Sequence, residues 1–565
     1  MSVVSRSRGS RRHSVPTTFS FALPRLFRFA LPRLYQHPNL FVEFLAHVRE
    51  RQSVMQACGL FAGCLLLGGG TRGGFLSDPV LQLLSIPVLV FVLPHVIKEY
   101  PFAQNRLGWI LCAGIVFLPV SQLIPLPPWI WTNLPGHDLI LANLSLLNGN
   151  LPWLPISVSP SSTWLAALSL IPPLTIFLAT VLLSNSERFS VLAVLVMFAI
   201  LSVFIGLVQV GGGSLYFFAV TNPGEAVGFF ANKNHLAALL YSALVFLCPW
   251  VINLGSEFRT EQNNRAAAYL PILVGSAGLL IMLGAAELIT RSRAGLALAL
   301  AGGLASAASA VFASPGASPK KIAKWSLLAI VAAALLAGKF GWEVMDRLAT
   351  DPLQDARLPL ARTTFNAALH YLPLGSGFGT FPSVYGIFER PTDIMPGTYA
   401  NRAHNEFAEV FLEGGVFGIG LILSLFVWFV HKSAQIWRRL PGAKIKQEIL
   451  LARSATMVIS LLLLHSLVDY PLRTGALMAV LGVCCALLIR PKIADTASPL
   501  ALAGVPASGS RRKERPASQV PGNAPCRSDP VRPAKSMKSL LPRERDDHRD
   551  PPIQEIEWPE AWRSK

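Results

Sequence analysis

Apolar residues in this chain come in long unbroken runs, not in the alternation of a half-buried strand or the single stripe of a surface helix. About 20 apolar residues carry an α-helix across a hydrocarbon core of about 30 Å. Runs of that kind recur near 53–70, 79–97, 107–125, 163–183, 189–210, 236–254, 270–288, 294–313, 325–341, 415–431, 449–468 and 474–490. The pattern predicts an all-α integral membrane protein with about 12 transmembrane helices, since only closed hydrogen bonding survives in lipid.

The polar stretches between runs set the expected orientation. With the N-terminal tail (Arg6, Arg8, Arg11, Arg12, Arg49, Arg51) kept in the cytoplasm, alternate loops collect Lys98 and Arg106, Arg259 and Arg265, Lys320, Lys321 and Lys324, then Lys432, Arg438, Arg439, Lys444 and Lys446. The opposite loop from Leu126 to Ser162 holds neither Lys nor Arg, and its Trp129, Trp131 and Trp153, with Trp164 just beyond, suit an interfacial belt. An even number of spans with both termini inside follows. A second outer loop, about 342–414, is long enough to be a functional insert.

Three regions result: a basic cytoplasmic N-terminal segment 1–51, a membrane domain 52–490, and a tail 491–565 rich in Pro, Ser, Arg and Asp that reads as disordered and cytoplasmic. The first contains a repeat, Phe21-Ala-Leu-Pro-Arg-Leu26 and Phe29-Ala-Leu-Pro-Arg-Leu34, whose prolines argue against one continuous amphipathic helix.

Composition agrees with the pattern. A hydrophobic fraction of 52%, only 14% charged residues and a mean hydropathy of +0.47 exclude an ordinary soluble enzyme. The formal charge of +18 sits in tails and short loops, not on one basic module, which argues against nucleic-acid binding and for anionic lipid heads. Six of the seven cysteines lie in apolar runs, so no disulfide framework is expected.

Ionisable residues at membrane depth are functional candidates by default. Here Lys233, His235, Glu287, Arg291, Arg293, Lys339, His465, Asp469 and Arg473 all fall at the outer ends of their spans or in the adjoining outer loops. Cations there run against the positive-inside tendency; an anionic ligand or structural ion pairs with neighbouring carboxylates would account for them.

Four local patterns stand out. Gly228-Phe-Phe-Ala-Asn-Lys-Asn-His-Leu236 offers amides, Lys233 and the pair Asn232 and Asn234 before a span, a suitable place for phosphate oxygens. Thr290-Arg-Ser-Arg-Ala-Gly295 forms a tight outer turn that puts Arg291 and Arg293 at the interface. Pro373-Leu-Gly-Ser-Gly-Phe-Gly-Thr-Phe381 lacks the spacing of a nucleotide loop and reads as a backbone device. His404 and Asn405 open a helix; a helix N-terminus disfavours imidazolium, leaving a neutral base, although capping or packing would equally place a lone histidine there.

In this order the patterns resemble the O-antigen ligase and polymerase family of bacterial membrane glycosyltransferases: N-x-N at Asn232 and Asn234, T-x-S-R-x-G at Thr290 to Gly295, G-x-G-x-G at Gly375 to Gly379, and H-N followed by E-x-G-x-x-G from His404 to Gly418. His465-Ser-Leu-Val-Asp-Tyr-Pro-Leu472 is similar to a later outer-end segment of that family, and motif-level likeness covers about 190–490. The resemblance implies a C-type glycosyltransferase-like fold in the inner membrane that works on its periplasmic face without metal or cofactor. Its partners would be an undecaprenyl-diphosphate-linked glycan donor, lipid A-core or another glycan acceptor, and membrane lipids.

On that basis His404 and Arg293 are the expected catalytic residues, with Lys233, Asn232, Asn234, Arg291, Arg362 and Arg402 binding diphosphate or glycan. The ligase reaction is the expectation; an O-antigen or exopolysaccharide polymerase is the alternative within the family. A lipid-linked oligosaccharide transporter is the alternative of another class, disfavoured because transporters place binding charges at the midplane of repeated, broken helices.

Overall fold

The computed structural model describes residues 38–489 apart from 104, 148, 261–265, 314–356, 395–399 and 440–445. Among the described residues every α-helix comes from the apolar runs or the loops that join them, and a single bridge between Leu126 and Leu154 is the only extended pairing. In chain order the helices are α1 (Pro38–Leu67), α2 (Ser77–Glu99), α3 (Arg106–Ser121), α4 (Pro128–Trp131), α5 (Asp138–Ser145), α6 (Pro160–Leu168), α7 (Ile171–Val181) and α8 (Asn185–Gly212). Then follow α9 (Lys233–Thr260), α10 (Ala266–Ile289), α11 (Arg293–Phe312), α12 (Arg357–His370), α13 (Phe381–Phe388), α14 (Glu406–Trp437), α15 (Lys446–His465) and α16 (Gly475–Leu487).

By length and composition 8 helical segments can cross a membrane: α2, α6 with α7, α8, α11, α14, and the apolar parts of α9, α10 and α15. Shorter apolar helices stand at Gln52–Leu67, Arg106–Ser121 and Gly475–Leu487. Each expected span thus has a helix at its place except the one near 325–341, which lies outside the described residues, as do the Phe21 and Phe29 repeat and the tail beyond 491. The long 342–414 stretch is not without structure of its own, for α12 and α13 fold within it.

Helix α14 starts at Glu406, well before the apolar run at 415. Glu406, Glu409 and Glu413 lie three and four residues apart, so they share one face, and all three are buried. A hydropathy reading counts them as loop; the helix instead turns them inward.

At the centre of the bundle, α9 and α15 are each 78% buried in their apolar windows, against 22% for α2 and α10. Pro249 lies inside α9 and has no N–H for the carbonyl four residues back, Val245. That carbonyl accepts instead from Ser306 Oγ of α11 (2.7 Å) and Ser454 Oγ of α15 (3.1 Å), so a gap in one helix joins three.

Helix ends are fixed locally. Ser184 and Glu187 form a reciprocal capping box at the start of α8. At the same end of the bundle Arg188 donates to the carbonyl of Ile489 beyond α16. The opposite end gathers the connections 68–76, 213–232, 290–292, 371–394, 400–405 and 466–474, and all the side chains described next stand there.

Candidate active site

The connection after α8 is folded by one side chain. Gln209, fully buried, accepts from the N–H groups of Val227 and Gly228 (2.9 Å each) and donates to the carbonyls of Leu215 and Gly228, using its whole hydrogen-bonding capacity. The chain then enters α9 through Asn232, whose Oδ1 accepts from the Asn234 N–H at 2.8 Å. Both asparagine side chains point inward: Asn232 Nδ2 donates to the Tyr470 hydroxyl at 3.4 Å, and Asn234 Nδ2 donates to Asp469 Oδ2. This pair supports the carboxylate of another segment and does not present open amides to a ligand.

His404 stands on the other oxygen of that carboxylate. Its backbone is left-handed (φ 50°), Asn405 caps α14 by accepting from the Ala408 N–H, and Glu406 N–H donates to the Ser466 carbonyl. The histidine is therefore outside the helix, held in position by Asp469 Oδ1 at 3.1 Å from Nδ1 and by Tyr470 edge-on at 4.9 Å between ring centroids. An ionised carboxylate only accepts, so Nδ1 carries the proton, and in the neutral ring it is Nε2 that holds the lone pair. The helix dipole, expected to poise His404, is secondary to this contact.

Asp469 is fully buried. Burial alone would raise its pKa, but the hydrogen bond from His404 and the nearby imidazoles of His404, His235 and His465 outweigh it and hold the carboxyl well below the usual carboxylate range. Burial, with Asp469 alongside, pushes the Tyr470 phenol upward, so it remains a neutral hydroxyl.

In the 290–295 turn the Thr, Ser and Gly are structural. Thr290 Oγ1 donates to the Glu287 carbonyl, Ser292 Oγ caps α11 by accepting from the Gly295 N–H, and a Cβ on Gly295 would lie 2.3 Å from that of Ala237 in α9. What remains for chemistry is Arg291, half-exposed with a positive φ of 54°, and Arg293, half-buried at the first position of α11. Arg291 and Lys233 converge on one carboxylate, Glu225, at 3.8 and 3.3 Å.

Arg402 belongs to a different cluster. It donates to Glu409 (2.8 Å) and to the Thr71 carbonyl, while Arg473 reaches Glu409 (3.5 Å) and Glu413 (2.9 Å). Glu413 also accepts from the Phe381 N–H, and Glu406 accepts from Leu472 N–H and Ser466 Oγ. Arg402 thus neutralises buried carboxylates, which leaves it little to offer a ligand. Arg362 is exposed on α12.

The Gly375 to Gly379 segment is a clasp on this cluster. Its three glycines all have positive φ, and the N–H groups of Ser376 and Gly377 donate to the carbonyls of Leu412 and Glu413 at the end of the first part of α14. Those carbonyls are free because α14 is broken at Gly415 (φ 56°, ψ −146°).

Beside the site opens a largely apolar cavity of about 2020 Å³, lined at this end by Arg72, Asn401, Arg402, Glu406 and Arg473. His404 does not line it; the cavity meets the site through Arg402 and Glu406 on either side of the histidine.

Sequence reasoning found His404 and the Asn232–Asn234 pair but not what joins them. Asp469 carried a charge at an outer end, with no signal that it faced a histidine 65 residues away. The three-and-four spacing of Glu406, Glu409 and Glu413 was the available sign of the buried acidic face.

Fold and site together define a multi-pass, all-helical membrane protein that brings imidazole, carboxylate and guanidinium groups to one end of its bundle. Residues 277–423 match the family described as O-antigen ligase, which supports placing the chain with the O-antigen ligases and polymerases. The match takes in Arg291, Arg293, Arg362, Arg402 and His404, while Asn232, Asn234, Asp469 and Tyr470 flank it on both sides. No curated protein matches the chain.

Proposed function

We propose that this protein is an inner-membrane glycosyltransferase of the ligase kind, transferring a glycan from undecaprenyl diphosphate to lipid A-core at the periplasmic face, with both termini in the cytoplasm. The observation that carries the reading is the His404–Asp469 contact, which orients a half-exposed imidazole with Nε2 directed away from its carboxylate partner.

In the reaction, Nε2 of His404 takes the proton of an acceptor hydroxyl as that oxygen bonds to the anomeric carbon of the donor sugar. The bond between that carbon and the diphosphate oxygen breaks with its electron pair leaving on the diphosphate, and the configuration inverts. Asp469 stabilises the imidazolium formed. Arg293 neutralises the departing diphosphate, with Arg291 and Lys233 assisting once the anion replaces Glu225. Arg362, exposed on α12, is a further cation for donor or glycan. Asn232 and Asn234 act by positioning Asp469 and Tyr470, and Arg402 by pairing with Glu409.

The apolar cavity next to Arg72 and Arg402 supports a substrate carried on a long hydrocarbon chain. The test is lipopolysaccharide from a deletion strain complemented with the native gene, His404→Ala or Arg293→Ala, with carrier-linked glycan measured alongside. Loss of all O-chain bands while polymer accumulates on the carrier is the expected result for both variants. Core carrying a single repeat would identify a polymerase instead, and an unchanged profile would remove the glycan-ligase reading altogether.

A further inference from the structure

The cavity beside the site does not end there. Along α14 its lining runs from Glu406 past the break at Gly415 to Lys432, close to the far end of the helix at Trp437. Its far end is a second mouth, at the end of the bundle opposite His404. That mouth is formed by Asn105, Arg106 and Trp109 at the start of α3 and by Trp428, His431 and Lys432 near the end of α14.

Composition changes along this groove. Between the mouths the walls are mostly apolar, with Leu, Ile, Phe, Gly and Pro among a few Ser and Cys, whereas the far mouth combines two cations, an amide and two indoles. Trp is favoured at the headgroup level of a bilayer, and its presence on both sides of the opening places the mouth at that level. Arg106 is exposed and Lys432 half-buried, and neither forms an ion pair among the described residues. Glu99, in the last turn of α2, does not line the opening, whose charge is that of Arg106 and Lys432. His431, also at the mouth, contacts Gln435.

We propose that the mouth opposite His404 binds the headgroup of an anionic phospholipid, whose acyl chains enter the groove between α2, α3, α7, α14 and α16. The phosphate lies between Arg106 and Lys432, with Asn105 as a further donor, and the apolar walls supply the affinity for the chains. Charge complementarity selects anionic over zwitterionic headgroups, as basic pockets between membrane helices do. The headgroup mouth lies at the other end of the bundle from His404 and Arg293, while the groove is the one read above as holding the donor's hydrocarbon chain, so the two lipids would share its walls.

The test uses the full-length protein purified in mild detergent, with lipid retention read by native mass spectrometry after adding phosphatidylglycerol, cardiolipin or phosphatidylcholine. Expected are one or two retained anionic lipids, little phosphatidylcholine, and about 30-fold weaker retention in the Arg106→Gln, Lys432→Gln double variant, from two charges near a headgroup. Thermal unfolding of the double variant checks that it folds, and Phe429→Trp, which narrows the groove without touching the cations, is expected to weaken retention as well. Equal retention of zwitterionic lipid, or anionic lipid retained undiminished by the double variant, would overturn the proposal. Displacement by millimolar inorganic phosphate would reduce the mouth to a phosphate site and also overturn it. So would displacement by undecaprenyl diphosphate that depends on Arg106 and Lys432, since the mouth would then belong to the donor.

Discussion

Asn234 and His404 hold the two oxygens of one buried carboxylate, Asp469, the asparagine on Oδ2 and the histidine on Oδ1. With both oxygens engaged the carboxylate cannot rotate away, and the Nδ1–H tautomer of His404 is the only one that satisfies it. Asp469→Asn keeps the shape but presents an amide whose N–H can donate to Nδ1, which reverses the tautomer. Turnover is expected to fall about 100- to 10,000-fold with the donor KM little changed, by the loss seen when a histidine's orienting carboxylate is removed in hydrolases. Steady-state assay with a lipid-diphosphate glycan measures it; a change in KM alone would make Asp469 a structural residue.

The same carboxylate makes stability depend on acid. Its folded-state pKa lies below the ordinary value, so the ionised form is favoured by folding. The contribution is present above the unfolded value of about 3.9 and is lost as pH falls through it toward the lower folded value. Detergent-solubilised wild type is expected to lose more Tm between pH 5 and pH 3 than Asp469→Asn, which has no such proton to bind. Equal losses would mean that Asp469 is not held ionised.

Arg473 and Arg362 separate scaffold from chemistry. Arg473 pairs with Glu409 and Glu413, both fully buried, so Arg473→Ala leaves Glu413 without a cation and Glu409 with Arg402 alone, and is expected to cost about 3–5 kcal/mol of stability. The yield of folded protein and its Tm should fall before specific activity does. Arg362→Ala, on the exposed face of α12, should leave Tm unchanged and lower activity through donor or glycan binding. A normal Tm for Arg473→Ala would contradict the buried network.

Glu225 occupies the cations that a diphosphate would use, reaching Lys233 and Arg291 on opposite oxygens. If these residues serve the donor, the carboxylate competes with it. Glu225→Gln is then expected to lower the donor KM about threefold to tenfold, the range of a partly exposed ion pair of about 1 kcal/mol. Salt should narrow the difference, because exposed charge is screened. An increased KM would assign Glu225 to the ligand's side of the contact.

The helices were legible in the sequence because a bilayer demands long apolar runs, and that demand overrides local propensity. The beginning of α14 was not, since Glu406, Glu409 and Glu413 make it polar by count although they face Arg402 and Arg473 inside the protein. Likewise His404 was visible as chemistry while its partner was not: a contact between residues 404 and 469 leaves no periodic trace in the chain. Asn232 and Asn234 show the converse. Their position before a span invited a ligand role, and the fold spends both side chains on Tyr470 and Asp469.

The break in α14 gives a last test that is purely steric. Gly415 has φ 56° and ψ −146°, a conformation that L side chains rarely adopt, and a Cβ there would lie 2.2 Å from the carbonyl oxygen of Pro373. Gly415→Ala must either straighten α14 or push away the 373–379 clasp, and in both cases the carbonyls of Leu412 and Glu413 lose the N–H donors of Ser376 and Gly377, with Gln122 Nε2 a further donor to Glu413. The strain alone is about 1–3 kcal/mol. Gly420, one turn further along the same helix, has nothing within 4 Å of an added Cβ, so Gly420→Ala should be neutral or slightly stabilising by helix propensity. Thermal unfolding of the two variants side by side checks the prediction: a Tm drop confined to Gly415→Ala locates the requirement in the kink, and equal behaviour would mean that α14 does not need its break.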